Sequence, residues 1–223
     1  MSLGDPVTYS VRRQRLDRDL EGAAGALRGR VLEIGCGRTG RRGRFRPPTK
    51  GISQWIYLDR GLARSPSVCG DAVHLPILPV VFDAIVCLEV LEYVWTPASA
   101  LAEIHRVLKP GGALVLSTPF LHRVDAADDY WRFTEPALRR LLHESGFEVV
   151  QCRAQGGAFA VAASVLRSVV SAQSAGIRRV LSIALRPFFA GLLGVDSSSA
   201  RRRPVLATFT TGYLIVARRS QPA

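Results

Sequence analysis

The stretch Val31-Leu32-Glu33-Ile34-Gly35-Cys36-Gly37-Arg38-Thr39-Gly40 constrains this chain more than any other. Val31, Leu32 and Ile34 make an apolar run of the right length for one buried strand, with a carboxylate near its end. Gly35 and Gly37 then permit a sharp turn, and a close approach of backbone to ligand with no Cβ in the way. A strand running straight into a glycine turn calls for an α/β domain whose ligand sits beyond the strand ends.

The remaining segments keep to that plan. Gln54 to Asp59 reads as a second strand, again ending in a carboxylate. Gly70 to Pro76 reads as a short third strand edge and turn. Val80 to Leu88 is the fourth strand and the most apolar, Ala113 to Pro119 the fifth, Phe147 to Cys152 the sixth and 208–218 the last. Between them, helices are expected over 8–28 (Val11, Leu16, Leu20, Ala24 and Leu27), over 89–94, over 97–109 (Leu101, Ile104, Val107 and Leu108) and over 134–145. Thr134 is the N-cap of the last of these, with Pro136 in its first turn. Apolar strands alternating with helices predict a parallel sheet covered on both faces.

Two segments fall outside the pattern. Residues 38–50 hold Arg38, Arg41, Arg42, Arg44, Arg46 and Lys50 among glycines and Pro47-Pro48, which forbid a long helix. The expectation is a loop, mobile without ligand, that closes over the site or recruits an anionic acceptor. Residues 156–190 read as two helices, Ala158 to Ser171 and Ile177 to Phe189, and 195–204 as a polar linker.

The net charge of +12 comes from 28 arginines and only two lysines. It fits either a solvated arginine surface or an anionic partner: nucleic acid, a phosphorylated substrate or an acidic membrane. The four cysteines never fall as C-x-x-C, which argues against a zinc site, and no metal is expected. No charge-free apolar run reaches 18 residues, and Met1 to Asp5 lack the order of a signal peptide, so the expectation is a cytoplasmic protein with no membrane span.

The glycine turn admits two ligands. Gly35-x-Gly37-x-x-Gly40, with Asp59 about 20 residues on, matches the dinucleotide fingerprint of an NAD-linked reductase. The same letters fit the acidic-x-Gly-x-Gly turn that holds S-adenosylmethionine. Glu33 favours the second, since it suits a cationic methionine end and repels a pyrophosphate. Asp59 suits either ribose. Asp71, with the neighbouring N–H of Ala72, suits an adenine edge.

Five stretches in order carry a wider resemblance: VLEIGCG (31–37), IYLD (56–59), GDAVHLP (70–76), FDAIVCLEVLEYV (82–94) and EIHRVLKPGGALVLSTPF (103–120). Together they resemble the class I S-adenosylmethionine-dependent methyltransferases of type 11 that act on small molecules. The resemblance implies a Rossmann-like α/β fold, seven-stranded and mostly parallel, with an antiparallel last strand. It makes 1–223 a single domain with 156–204 a helical insertion between strands six and seven. It implies cofactor binding by Glu33, Gly35, Cys36, Gly37, Asp59, Arg60, Asp71, Ala72 and Leu88, with Cys36 a small filler and not a nucleophile. The family's third glycine falls at 39, where this chain has Thr39; Gly40 comes one residue late. Glu89 is placed near the transferable methyl, or else is a helix-start carboxylate bonded to backbone.

The loop after strand five offers the acceptor side. Of His122, Asp125, Asp128, Asp129 and Tyr130, His122 is the expected base, with Asp125 beside it; the alternative is that these carboxylates pair with Arg123 and Arg132. The stretch PFLHRVDAADDYWRFT (119–134) resembles a subgroup associated with glycan and cell-envelope synthesis, which implies a saccharide or lipid-linked acceptor. Residues 156–190 have three competing uses: a lid, a homodimer surface, or an interfacial helix at the inner face of a membrane. The competing functions are an RNA methyltransferase, suggested by the charge, and a non-catalytic protein that binds the same cofactor.

Overall fold

In the computed structural model of the chain, residues 10–37, 43–62 and 65–221 are described, the side chains of 197–202 excepted. The sheet is built from β1 (Gly29–Ile34), β2 (Ile52–Asp59), β3 (Val68–Cys69), β4 (Phe82–Leu88), β5 (Leu108–Pro119), β6 (Phe147–Ala154) and β7 (Gly212–Arg219). Their order is β3-β2-β1-β4-β5-β7-β6. All neighbours pair parallel except β7, which runs antiparallel to both β5 and β6. The expected mostly parallel sheet with an antiparallel last strand is therefore the one that forms.

The apolar runs are explained by what lies on each face. Leu32, Ile34, Ile85, Cys87 and Leu114 share one core with helices α2 (Pro97–Val107) and α3 (Glu135–Glu144), through Leu101, Ile104, Leu138 and Leu142. Val31, Val86, Leu88 and Val115 share the other with helix α1 (Val11–Ala23), through Leu16 and Leu20. A strand buried on both sides has no polar alternation to show. The caps are local: Ser10 Oγ accepts the Arg13 N–H at 3.1 Å, and Thr134 Oγ1 accepts the Ala137 N–H at 3.4 Å.

Several boundaries differ from expectation. Residues 70–76 form a turn closed by an Asp71–His74 bridge, and the third strand is the preceding Val68–Cys69. Lys109-Pro110-Gly111-Gly112 is not a spacer after a helix. It bulges within β5, whose register to β4 jumps from Leu108 opposite Phe82 to Ala113 opposite Ala84. The expected helix over 89–94 shrinks to a single turn at Leu91–Tyr93. Glu89 enters it in a left-handed conformation, φ 57°, which no helix continues from. Residues 38–42, including Thr39 and Gly40, lie outside the described residues. Residues 43–50 form a turn and extended chain without helix, anchored by buried Phe45 and by the Arg44 N–H donating to Asp17 at 2.8 Å.

Four helices lie between β6 and β7: α4 (Ala158–Ser171), α5 (Ala175–Ala184), α6 (Arg186–Arg202) and α7 (Pro204–Ala207). The stretch 195–204 is mostly helix, not linker. Its serines and arginines hide the residue that matters, Asp196, which is 3% exposed. Asp196 accepts the N–H groups of Gly157 and Ala160 at the start of α4, each at 3.1 Å through Oδ1, and pairs with Arg15 of α1 at 2.9 Å. Phe189 of α6 packs with Val11, Ala160 and Ala163 around this tie.

Candidate active site

A cavity of about 660 Å³ opens at the carboxyl ends of β1, β2 and β4. The strand order reverses between β1 and β4, the place where open α/β sheets bind ligands. One half is lined by Gly35, Asp59, Arg60, Asp71 and Ala72. The other is lined by Glu89, Tyr93, Trp95, Asp125, Asp128 and Tyr130.

The first half is shaped by backbone. Gly35 and Gly37 have φ 65° and 60°. A Cβ on Gly35 would lie 2.3 Å from Val90 Cγ2, so this turn accepts no side chain. The N–H groups of Gly35 and Cys36 converge on the carbonyl of Leu58 at 2.8 and 3.2 Å. Asp59 is then clamped by its two oxygens: Oδ2 accepts the Gly37 N–H and Oδ1 the Gly61 N–H, both at 3.0 Å. Asp71 is held by its own turn, Oδ1 accepting the Val73 N–H at 3.1 Å. Arg60 reaches across the mouth to Asp128 at 3.1 Å.

Four expected cofactor residues do not line the cavity. Glu33 is buried behind the turn, where Oε2 accepts the Trp55 indole N–H at 2.9 Å. Cys36 is a buried filler, Gly37 contributes its N–H to Asp59, and Leu88 belongs to the α1-side core.

The second half is a network that the sequence did not bring together. Glu89 is not a helix-start carboxylate bonded to backbone: Oε1 accepts the Ser117 hydroxyl at 2.7 Å, and Oε2 pairs with Arg12 of α1. Its left-handed backbone is strain of the kind that collects at functional sites. Next to it, burial pushes the Glu92 carboxyl up to about 7, against the pull of Arg12. Burial likewise lowers the Arg12 guanidinium to about 10. The Tyr93 hydroxyl donates to Asp125 Oδ1 at 2.8 Å, and burial and that carboxylate hold it protonated. His122 does not line the cavity; it stands behind Asp125, Nε2 to Oδ2 3.8 Å, and burial with Arg12 nearby pushes it down to about 4. Of the expected arginine pairings, Asp129 takes Arg132, whereas Asp125 takes Tyr93 and Asp128 takes Arg60.

The loop also builds an aromatic wall. The N–H groups of Tyr130 and Trp131 donate to the Glu92 carbonyl at 2.8 and 3.2 Å, and the Trp131 indole donates to the Val94 carbonyl at 3.0 Å. Trp95, 68% exposed, meets Tyr130 edge-on at 5.2 Å between ring centroids and Trp131 at 5.9 Å. Aromatic spacing in 93–95 and 130–133 is the only signal the sequence held for this wall.

His122 and Glu92 pull stability in opposite directions with pH. The folded His122 stays neutral down to about 4, whereas in the unfolded chain it protonates near 6.5, so its contribution is lost as pH falls across that window. The folded Glu92 keeps its proton up to about 7, whereas unfolded it ionises near 4.5, so its contribution is lost as pH rises. In Glu92→Gln the His122 effect stands alone, and scanning calorimetry is expected to show the midpoint falling by roughly 5 °C more than wild type between pH 6.5 and 4.5. His122→Asn is expected to tilt the other way. Parallel profiles for all three proteins exclude this account.

Among known proteins, the methyltransferase domain family matches residues 51–116. An uncharacterized protein of Methanocaldococcus jannaschii is 32% identical over 130 residues, 54% of this chain and 55% of the relative. The ubiquinone biosynthesis O-methyltransferase of an Azoarcus strain is 26% identical over 172 residues, 64% of this chain and 73% of the relative. The chain thus spans about half the length of the archaeal relative and more of the bacterial one. The crystal structure of the cyclase SpnF superposes with a TM-score of 0.60 at 21% identity, over 94% of this chain and 83% of that one, a likeness of fold. With the methyltransferase domain matched from β2 into β5, and a seven-stranded sheet in which β7 runs antiparallel between β5 and β6, the chain has the Rossmann-like fold of the class I S-adenosylmethionine-dependent methyltransferases.

Proposed function

We propose that the chain transfers a methyl group from S-adenosylmethionine to a hydroxyl or amine of a small molecule held in the second half of the cavity. The observation that supports this most is one 660 Å³ space lined both by the glycine turn with Asp59 and Asp71 and by Glu89, Asp125 and the rings of Tyr93, Trp95 and Tyr130. The first half fits the donor by its chemistry. Asp59, fixed by two N–H groups, offers carboxylate oxygens to a ribose diol, and Asp71 with the Ala72 N–H offers an acceptor and a donor to an adenine edge. When bound, the cofactor supplies a methyl already activated on a sulfonium.

The protein's own part is placement and proton removal. Methylation of a hydroxyl or neutral amine by that sulfonium would require the acceptor's proton to be removed. Asp125 takes that proton: it lines the cavity, and Tyr93 fixes its orientation. His122 does not line the cavity and stands behind Asp125, Nε2 to Oδ2 3.8 Å. Glu89 is tied to Ser117 and Arg12, which holds its carboxylate in place on the cavity wall.

Charge narrows the acceptor. Among the described residues the lining holds Asp59, Asp71, Glu89, Asp125 and Asp128 with Arg60, and Arg12 pairs with Glu89. Such a wall repels phosphates and carboxylates. It favours an uncharged polyhydroxyl or an amine over the anionic acceptor that the arginine content suggests. A saccharide ring, free or on a lipid carrier, matches exposed Trp95 and Tyr130, since an indole face packs on apolar ring C–H groups while carboxylates accept hydroxyls. The same acidity counts against RNA. SpnF, a cyclase, shows that this fold also serves other reactions, so binding and turnover are measured separately.

Asp125→Asn is expected to lower turnover about 100-fold, the usual worth of a general base, with donor affinity unchanged by calorimetry. Donor binding with no turnover on any hydroxyl or amine panel leaves the non-catalytic reading. No donor binding at all removes the proposal.

A further inference from the structure

The helices between β6 and β7 carry an apolar face that nothing in the described residues covers. Helix α5 has no buried residue at all. Ile177, Val180 and Ile183 recur every three residues along one side of it, and Ile183 is 68% exposed. Exposed Val165 and Val169 of α4 and Phe188 of α6 add to the apolar surface of the same helices. Arg178 and Arg179 are both exposed; at 100° per residue Arg179 flanks the strip beside Ile183, and Arg178 lies on the polar side of α5.

The charge of this region is one-sided. Residues 156–207 contain seven arginines, of which Arg167 is buried, and one acid, Asp196. That acid is buried at the start of α4, so it offers nothing to an outside partner. None of these arginines is among the described residues that line the cavity.

We propose that this face docks on the surface of a bilayer containing anionic lipids. Helix α5 lies in the interface, its Ile177–Val180–Ile183 strip among the acyl chains and its arginines at the phosphates. A second copy of the chain is the weaker occupant, because it brings the same acid-free face and sets arginine against arginine. A nucleic acid satisfies the arginines and leaves the strip in water. A bilayer satisfies both. The attachment is superficial, since no helix among the described residues is long and apolar enough to cross a membrane.

The test is flotation of the full chain with vesicles of phosphatidylcholine alone or mixed with phosphatidylglycerol. Wild type is expected to float with the mixed vesicles only, and less as salt rises. Arg178→Ala with Arg179→Ala is expected to cut partitioning about 30-fold, at roughly 1 kcal/mol for each basic side chain at an anionic surface. Ile177→Asp with Ile183→Asp is expected to abolish flotation while circular dichroism and thermal midpoint stay at wild type, both positions being exposed. Failure of wild type to float overturns the proposal, as does flotation that survives the aspartates. A wild-type dimer that the aspartates convert to monomer on size exclusion assigns the face to a second copy and overturns it equally.

Discussion

Replacing Asp59 with alanine is expected to weaken S-adenosylmethionine binding by about 100- to 1000-fold, a loss of roughly 3–4 kcal/mol. The carboxylate acts twice. It accepts the Gly37 and Gly61 N–H groups, both at 3.0 Å, and so holds the glycine turn against the end of β2. Hydrogen bonds to a charged acceptor contribute about 1.5–3 kcal/mol each. By the proposed function, the same oxygens would also meet the ribose hydroxyls. Alanine removes the ligand's acceptor and leaves two backbone donors unpaired beside it. Asp59→Asn, which keeps the shape but only one acceptor oxygen, is expected to fall between. Titration calorimetry decides: a loss below tenfold in the alanine variant rejects Asp59 as the ribose anchor.

The second large effect lies outside the cavity. Asp196→Ala is expected to lower the unfolding free energy by about 3–5 kcal/mol, the range for removing one partner of a buried ion pair. Three groups lose their acceptor together: the N–H groups of Gly157 and Ala160 and the Arg15 guanidinium. The apolar contacts of Phe189 with Val11, Ala160 and Ala163 remain, so the expected first event is local opening of α4 and α6 from α1. Urea unfolding measures the free energy, and hydrogen exchange across α4 and α6 locates the opening. A change under about 1 kcal/mol means that Phe189 and its neighbours hold these helices without the carboxylate.

The glycine-turn side of the cavity is legible in the chain because each of its parts is local. A glycine at positive φ announces itself as glycine, and an aspartate that ends an apolar run lies at a strand's carboxyl end. Asp59 and Asp71 line the cavity on those grounds. Glu33 shows where locality stops. Its position two before Gly35 is plain, yet its side chain turns to Trp55 of β2, a contact made across the β1–β2 ladder. The linker reading of 195–204 failed for a related reason. Propensity registers serines and arginines, whereas α6 is held by one buried aspartate bonded to a helix some 40 residues earlier.

Apolar runs, their punctuation by glycine and proline, and the last antiparallel strand follow from backbone chemistry within a few residues, and the sheet and the glycine-turn side of the cavity come with them. The opposite wall of the cavity belongs to tertiary structure. Arg12 reads in the chain as one more charge on an amphipathic helix, and only the packing of that helix on the sheet sets it against Glu89. Glu92 sits 2% exposed among Arg12, Asp129 and Arg132, and no neighbour in sequence foretells a carboxyl near 7. Trp95 and Tyr130 meet because the Glu92 carbonyl takes the N–H groups of the later loop. Burial and charge at each of these positions are set by segments far apart in the chain, so their chemistry exists only once the chain has folded.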